Sequence, residues 1–304
     1  MIYIHIYLYI SLYIYHYIYI TIYIYIYISN NNHTYYNRLF LIVTWMSLHK
    51  PMTQIDTGMT TATWATDASQ DIYTLEGNQF RKVSGKLVHV SAGESGVWGV
   101  NAGNNIFYRS VETWTKVPGL LKQIDSGPKG IVCGVNGGDG IFCRNGITDS
   151  NPSGQSWTKI PGSLKYISCG EYGHWGVNKL NNIFFREGVT QSNPSGTTWK
   201  GIDGSLVQLE AGPDGKVWGV NDKNELYRRS GVSRSSPMGT SWMKVGSQPL
   251  KFITVGKDQL YSIDLKNDVF SGRLLRLGQG GKLPGMNKIH VYSSNIFSFI
   301  YVLM

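Results

Sequence analysis

The sequence predicts an all-β protein, a six-bladed β-propeller with four short antiparallel strands in each blade. Three observations predict this fold. A short motif, clearest as Trp98-Gly99-Val100-Asn101, recurs six times along the 304 residues. Glycine and tyrosine are abundant, at 36 and 20 residues, whereas charged residues make up only 15%, which suits short strands joined by tight turns. Self-similarity at a period of a few tens of residues is typical of a repeat fold.

The motif keeps its internal spacing in every copy. An anchor residue, usually Trp, is followed three residues later by Asp or Asn, and then by a branched apolar residue and an aromatic residue. The anchors are Trp64, Trp98, Cys133, Trp175, Trp218 and Tyr261. The Asx residues are Asp67, Asn101, Asn136, Asn178, Asn221 and Asp264. We predict that the four tryptophan anchors are structural and form the core between blades, because each blade buries its faces only against its neighbours.

Each unit divides into four predicted strands. The first alternates and ends in Gly, as in His89–Gly93, the second carries the anchor, and the third carries the apolar-aromatic pair. The fourth ends in an aromatic and a basic residue, as in Trp114-Thr115-Lys116. Asx and Gly residues between the second and third strands are typical of hairpin turns. No clear fourth strand follows Phe270, so we expect an imperfectly closed ring that lacks an N-terminal strand.

The two ends are predicted to lie outside the fold. Residues 1–29 alternate Ile and Tyr with no charge, a pattern that as a strand would be prone to aggregate and that is a poor helix for crossing a membrane. Since Ile and Tyr codons overlap in an AT-dinucleotide repeat, we interpret residues 1–45 as a gene-model artefact that replaces a true first exon and its signal peptide. The propeller is then expected over residues 46–285, with a non-repeat tail over residues 286–304 and no functional membrane span.

Cysteine and histidine give little indication of catalysis. Cys133 and Cys143 lie across one predicted hairpin and could pair, which would leave Cys169 without a partner. His89 and His174 stand at unrelated repeat positions, and neither has a ligand partner at metal-binding spacing. We therefore expect no metal site, no catalytic residue and no required cofactor. Bound calcium is left open, because nothing in the sequence indicates it.

Two sets of repeated polar residues are candidates for ligand binding. The Asx amides can donate to and accept from sugar hydroxyls, which makes carbohydrate-binding candidates of Asn101, Asn136, Asn178 and Asn221. Four arginines fall eleven residues after their anchors, namely Arg109, Arg144, Arg186 and Arg229. Insertions follow the last three of them, at residues 146–156, 188–198 and 231–241. We favour a repeated strut to a neighbouring blade, and the alternative is a ring of cations facing phosphate or acidic sugars.

The repeats resemble the tectonin repeat, and within it the fish-egg lectins, through phrases such as Leu121-Lys-Gln-Ile-Asp-Ser-Gly127 and Val97-Trp-Gly-Val-Asn101. The resemblance covers residues 52–275, with departures at Cys133 and Tyr261, where Trp is expected. It implies a secreted, non-catalytic lectin for N-acetylglucosamine and bacterial wall glycans such as lipopolysaccharide, in egg or innate defence.

The net charge of +9 favours anionic partners, but no Lys/Arg block is dense enough to indicate nucleic acid. The resemblance implies glycans and bacterial surface polysaccharide as partners, and a homo-oligomer is left open. The main alternative function is an intracellular protein-interaction propeller that binds no sugar. An enzyme built on a propeller would need a unique acidic or histidine cluster in one blade.

Overall fold

The computed structural model describes residues 3–5, 18–21, 27–29, 41–58, 62–257, 259–276, 288–294 and 297–303. The chain divides into two compact units, Ser47–Gly272 and a second unit of Met1–Met46 with Arg273–Met304. Most of residues 1–45, and with them most of the predicted artefact, lie outside the described residues. Within the described part, no helix is long and apolar enough to cross a membrane.

The strands outside the repeat and those of the first three blades follow in chain order. The chain begins with β1 (Tyr3–His5), β2 (Ile18–Thr21), β3 (Tyr27–Ser29) and β4 (Leu41–Pro51). Blade 1 contains β5 (Gln54–Thr57), β6 (Thr63–Thr66), β7 (Asp71–Glu76) and β8 (Gln79–Lys86). Blade 2 contains β9 (His89–Gly93), β10 (Gly96–Val100), β11 (Asn105–Ser110) and β12 (Thr113–Leu120). Blade 3 contains β13 (Gln123–Ser126), a 3₁₀ turn (Pro128–Gly130), β14 (Val132–Val135), β15 (Ile141–Asn145) and β16 (Ser156–Ile160).

The remaining blades repeat the same order. Blade 4 contains β17 (Tyr166–Gly170), β18 (Gly173–Val177), β19 (Asn182–Arg186) and β20 (Trp199–Ser205). Blade 5 contains β21 (Gln208–Ala211), β22 (Val217–Val220), β23 (Leu226–Ser230) and β24 (Ser241–Lys244). Blade 6 contains β25 (Leu250–Val255), β26 (Leu260–Asp264) and β27 (Asp268–Arg276). A separate hairpin of β28 (Lys288–Ser294) and β29 (Phe297–Leu303) follows, and β1 pairs with β3 in a second small sheet.

The predicted six-bladed propeller is confirmed. Blades 1 to 5 are four-stranded antiparallel sheets whose strands lie side by side in chain order. The first strands contact one another from blade to blade, and β25 of blade 6 contacts β5 of blade 1. The first strands therefore form the inner wall of the ring, and the backbone N–H of Thr57 closes it by donating to Thr254 Oγ1 across 3.2 Å.

The fourth strand of blade 6 is β4, which the sequence analysis did not locate. Strand β4 lies next to β27 in the sheet order, and the backbone N–H of Met52 just after it donates to the carbonyl of Asn267. Leu48 and Met52 are buried with Tyr261 and Ile263 of blade 6. The expectation of imperfect closure is thus corrected. That strand was expected after Phe270, whereas β4 comes from the N-terminal side of the repeats.

The tryptophan anchors are buried, and Trp98 illustrates their packing between blades. Trp98, fully buried, shares a cluster with Ile124 and Val132 of the next blade. Its ring meets the ring of Trp157 from the fourth strand of that blade, with centroids 6.4 Å apart. Trp157 in turn donates its indole N–H back to the carbonyl of Pro118 in blade 2. Each anchor of this kind ties two blades together through apolar burial and one returning hydrogen bond.

Glycine ends the inner strands because the next blade leaves no room for a side chain. A Cβ atom on Gly93 would overlap the carbonyl oxygen of Ser126, and one on Gly58 would overlap the carbonyl oxygen of Ala92. The close approach of two backbones is therefore the reason for Gly at these positions, since no left-handed φ is involved.

We expect Gly93→Ala to lower the free energy of unfolding by about 2 kcal/mol, because the added methyl group forces two inner strands apart. Chemical denaturation measures this difference. Gly201→Ala is the matched control, since a Cβ at Gly201 would have no neighbour within 4 Å. Equal stability of the two variants would contradict the role assigned to close inter-blade packing.

Candidate functional site

A groove lies between the insertion loops of blades 3 and 4, and we call it the rim groove. It has a volume of about 630 Å³ and a lining of both polar and apolar groups. Its lining residues are Gly130, Ile131, Arg144, Asn145, Gly146, Ile147, Thr148, Thr190, Gln191, Ser192 and Pro194. This volume falls in the range of small-ligand sites, which makes the rim groove the candidate binding site.

The insertion loops that flank the groove share one local fold. In blade 3, the Asn151 backbone N–H donates to the carbonyl and hydroxyl oxygens of Thr148, and the Gly154 N–H donates to the Asn151 carbonyl. Asn193 and Thr190 repeat the first pair of contacts in blade 4. The equivalent loops therefore present the same turn in consecutive blades.

The repeated arginines support these loops from below. Arg144, Arg186 and Arg229 are each about nine-tenths buried or more. Their Nε atoms donate to loop carbonyls of the same blade, from Arg144 to Ser153, from Arg186 to Ser195 and from Arg229 to Met238, over 2.8–2.9 Å. Each guanidinium also lies 5.2–5.3 Å from a fourth-strand tryptophan ring, those of Trp157, Trp199 and Trp242.

This arrangement matches a strut more closely than a ring of exposed cations. Each of the three arginines bonds to the insertion loop of its own blade. Among the described residues, Arg229 alone of the three also pairs with a neighbouring blade, through Asp203 at 2.7 Å. Burial lowers the pKa of Arg144 and of Arg186. Arg109, whose blade has no insertion, donates instead to the carbonyl of Glu112 and lies over Trp64 and Trp114. Contact of these arginines with an anionic glycan stays a prediction.

The Asx residues cap the turns between second and third strands. Oδ1 of Asn101 accepts from the backbone N–H groups of Gly103 and Asn105, at 3.1 and 3.0 Å. The same pair of contacts recurs in all six blades, made by Asp67, Asn101, Asn136, Asn178, Asn221 and Asp264. The carboxylates and the amides do this equally, because an acceptor oxygen is all the turn requires.

The candidate asparagines and arginines do not form one site. In blade 4 the turn of Asn178 precedes β19, and Arg186 ends it. Four residues of extended chain separate the two ends of this strand by about 13 Å. The antiparallel order places the Asx turns and the insertion loops at opposite ends of each blade. Sequence spacing predicted both sets, but it did not reveal that they face opposite sides of the ring.

Asn178→Ala should lower the free energy of unfolding by about 1 to 2 kcal/mol, because two backbone N–H groups lose their acceptor. Asn178→Asp should lie within about 0.5 kcal/mol of the native chain, because Asp67 and Asp264 make the same turn. Thermal denaturation compares the three proteins. Glycan binding that survives in the Asp variant would leave the amide with a structural role only.

Three acidic residues meet on the inner wall, which the sequence analysis missed. Asp56, Asp125 and Glu210 come from the first strands of blades 1, 3 and 5, and all are buried. One oxygen of each lies within 4.8 Å of the others. A small cavity of about 20 Å³ adjoins them. Oxygen atoms so placed could hold a metal ion.

Hydroxyl groups alternate with these carboxylates around the ring. Thr254 donates to Asp56, Ser91 donates to Asp125, and Ser168 donates to Glu210, over 2.6–3.2 Å. Burial raises the pKa of each carboxyl group, that of Asp125 to about 7, and the neighbouring carboxylates raise the pKa values of Asp125 and Glu210 further. A signal existed in the sequence, because Gln-Ile-Asp or Gln-Leu-Glu opens alternate units.

The cysteine assignment from the sequence is confirmed. Cys133 and Cys143 form a disulfide between β14 and β15, where they are direct cross-strand partners. Cys169 is a free, buried cysteine. His174, which sequence spacing left without partners, lies against both sulfur atoms of the disulfide.

The fold and the site together define a class: a six-bladed β-propeller whose consecutive blades carry equivalent loops around a surface groove. The chain belongs to the tectonin family, since the Tectonin domain matches residues 51–271. A fish-egg lectin of Cyprinus carpio is 40% identical over 82 residues, which cover 24% of this chain and 34% of that lectin. The match therefore spans about a third of the length of the lectin.

Solved structures are similar to this chain at low sequence identity. A chain in the crystal structure of the mitotic checkpoint complex has a TM-score of 0.51 and 9% identity, covering 79% of this chain and 85% of that one. Prp20p from Saccharomyces cerevisiae has a TM-score of 0.48 and 10% identity, covering 75% and 83%. The similarity to the chain of the mitotic checkpoint complex concerns the fold alone, because the sequence identity is 9%.

Proposed function

We propose that this chain is a lectin that binds N-acetylglucosamine-type sugars and bacterial cell-wall glycans, including lipopolysaccharide. The observation that carries the proposal is the rim groove, set between two equivalent loops of a tectonin propeller. The similarity to a fish-egg lectin over part of its length supports the same ligand class. An egg protein or a defence protein is the biological role that fits such ligands.

The chemistry of the groove suits a sugar. Hydroxyl and amide groups from Thr148, Thr190, Gln191 and Ser192 line it. Such groups both donate and accept, as sugar hydroxyls do, while Ile147 offers an apolar surface to a ring face. The fourth-strand tryptophans are half-buried and lie behind their arginines. The polar loop residues are therefore the better candidates for direct contact with a sugar.

Repetition of the loops suits a ligand that is itself repeated. The insertions of blades 3, 4 and 5 fold alike, so neighbouring positions on the rim can offer related surfaces. Weak single sites gain strength on a dense polysaccharide through effective concentration. Secretion fits the disulfide between Cys133 and Cys143, because such bonds persist in oxidising compartments.

The test applies the full chain to a glycan array and to immobilised lipopolysaccharide, beside two variants. Gln191→Ala removes an exposed amide from the groove without touching the buried arginine struts, and we expect binding to weaken about tenfold, the factor that corresponds to one hydrogen bond of 1.4 kcal/mol. Leu180→Ser, in an exposed turn of the same blade outside the groove lining, is the control and should bind as the native chain does.

Failure of the native chain to bind any amino sugar or bacterial glycan would remove the lectin proposal and leave the protein-interaction propeller. Binding that is equally strong in Gln191→Ala would keep the lectin but place its site away from the rim groove.

A further inference from the structure

Four departures from the repeat meet at the interface between blades 3 and 4. Cys133 stands where other blades have a tryptophan or tyrosine anchor, and Cys143 faces it across the hairpin. From blade 4 come Cys169 on the inner strand and His174 just before the anchor. The other blades have different residues at the position of His174, namely Thr63, Val97, Val132, Val217 and Leu260. The repeat fold requires none of these four residues, since the other blades form the same strands without them. Their occurrence together indicates a function specific to this interface.

Size explains how the histidine fits. In blade 2 the Trp98 indole packs against Val132, the residue before the anchor of the next blade. In blade 3 the anchor is the much smaller Cys133, and the larger His174 imidazole takes the position of that valine. The smaller residue on one side of the interface is compensated by the larger residue on the other side. Both side chains are fully buried as a result.

The exchange brings metal-binding atoms together. His174 Nε2 lies 3.4 Å from Cys133 Sγ and 3.7 Å from Cys143 Sγ. One ligand atom each of Cys133, Cys169 and His174 lie within 4.8 Å of one another. Tetrahedral zinc, with Zn–S about 2.3 Å and Zn–N about 2.0 Å, places its ligand atoms about 3.5–3.8 Å apart. The two distances from His174 Nε2 to the sulfur atoms already lie close to that spacing.

We propose that reduction of the Cys133–Cys143 disulfide converts this cluster into a structural zinc site with three cysteine ligands and His174. A thiol reductant supplies two electrons and two protons, which turn the disulfide into two thiols. Zinc then binds three thiolates and one neutral imidazole, and the three thiol protons leave to solvent. Four protein ligands give the closed coordination that structural zinc prefers.

The His174 imidazole reaches the cluster through its Nε2 atom. Nε2 donates to the carbonyl of Pro194 at 2.7 Å while the disulfide is present. When zinc takes the Nε2 lone pair, the ring proton moves to Nδ1, a buried atom that has no other partner among the described residues. Pro194, whose carbonyl contacts His174, also lines the rim groove.

The site goes beyond the proposed lectin function and does not depend on it. In an oxidising compartment the disulfide joins β14 to β15 within one blade. In a reducing one, zinc would join blade 3 to blade 4, because Cys169 and His174 belong to the next blade. The same four residues would therefore stabilise the propeller in either compartment.

The experiment uses the full chain, with cobalt as a spectroscopic probe and zinc measured by mass spectrometry. The chain is reduced with a phosphine, because a thiol reductant would itself bind zinc. After this reduction we expect one zinc ion per chain. Cobalt should show a thiolate charge-transfer band together with the visible bands of tetrahedral coordination. The oxidised chain should bind neither ion at this position.

Two variants restore residues that other blades use and so keep the fold. Cys169→Ala introduces the residue found at Ala92 and Ala211, and His174→Val introduces that of Val97 and Val217. Each should weaken zinc binding at least about tenfold, the lower end of the loss that even an outer-shell partner causes. His49→Ala, at an exposed histidine outside the cluster, is the control. A reduced chain without the cobalt bands, or a zinc affinity in both variants equal to that of the native chain, would overturn the site.

Discussion

Replacing Trp98 with Ala is expected to lower the free energy of unfolding by about 4 kcal/mol, the largest single-residue effect we predict. The indole is fully buried between blades 2 and 3. Its loss removes the apolar contacts with Ile124 and Val132 and the aromatic contacts with Tyr108 and Trp157. Because both blades hold the surrounding backbone in place, the space cannot close fully and a cavity adds to the lost burial.

Urea denaturation followed by intrinsic fluorescence measures this loss, with the slope of the transition checked for a change in the unfolded state. Trp98→Tyr is the matched variant, since blade 6 uses Tyr261 at the same position and buries it. We expect it to retain most of the stability lost in the Ala variant. A loss below about 1 kcal/mol for Trp98→Ala would place the anchor outside the cooperative core, contrary to its packing.

Spacing along the chain predicted what depends on local pattern. The anchor, the Asx residue and the apolar-aromatic pair fixed the hairpin of every blade, because alternation and turn residues are local signals. The same reasoning paired Cys133 with Cys143, which face each other across one hairpin. These predictions needed no knowledge of how blades pack.

What spacing did not predict depends on contacts between blades. Strand β4 completes blade 6 from the other end of the repeats, and Asp56 meets Asp125 only because the ring closes. His174 and Cys133 are 41 residues apart and belong to different blades. Spacing within one repeat does not predict contacts between residues of different blades. The alternation of acidic and hydroxyl residues in the first strands was nevertheless a sequence signal for the inner-wall contacts.

The buried carboxyl groups of the inner wall predict a contribution to stability that is present at mildly acidic pH and is lost by pH 8. The pKa of Asp125 rises from 3.8 to about 7 on folding, chiefly through burial and then through the charge of Asp56. Between these two pKa values the Asp125 carboxyl group is more protonated in the folded chain than in the unfolded chain, so its contribution to stability falls as pH increases. His89 and His174 act in the opposite direction, because burial lowers their pKa values to about 3 and about 4. From pH 4.5 to pH 8 we expect Asp125 alone to account for a loss of roughly 3 kcal/mol.

Denaturation in a chelating buffer at several pH values measures this slope without interference from metal ions. Tyr166 and Cys169 also lie near these carboxyl groups, but burial raises the pKa of both well above their usual values, so they stay neutral across the window. Asp71 titrates below it, since hydrogen bonds from Lys82 and Lys86 lower its pKa. The slope of the native chain also contains the opposing titration of His89 and His174, so the contribution of Asp125 is taken from a comparison with a variant that lacks its carboxyl group.

Asp125→Asn separates the titration from the packing of the same site. The amide keeps the volume of the carboxyl group and can still accept from Ser91, but it cannot ionise. The variant should lose some stability at every pH, since Asp125 Oδ2 also accepts from the Cys169 N–H and an amide nitrogen cannot replace it. The stability of the native chain relative to that of the variant should nevertheless fall by roughly 3 kcal/mol between pH 4.5 and pH 8, because the histidines titrate in both proteins. A difference between the two proteins that stays constant with pH would assign the carboxyl titration to Asp56 and Glu210, which face the same cavity.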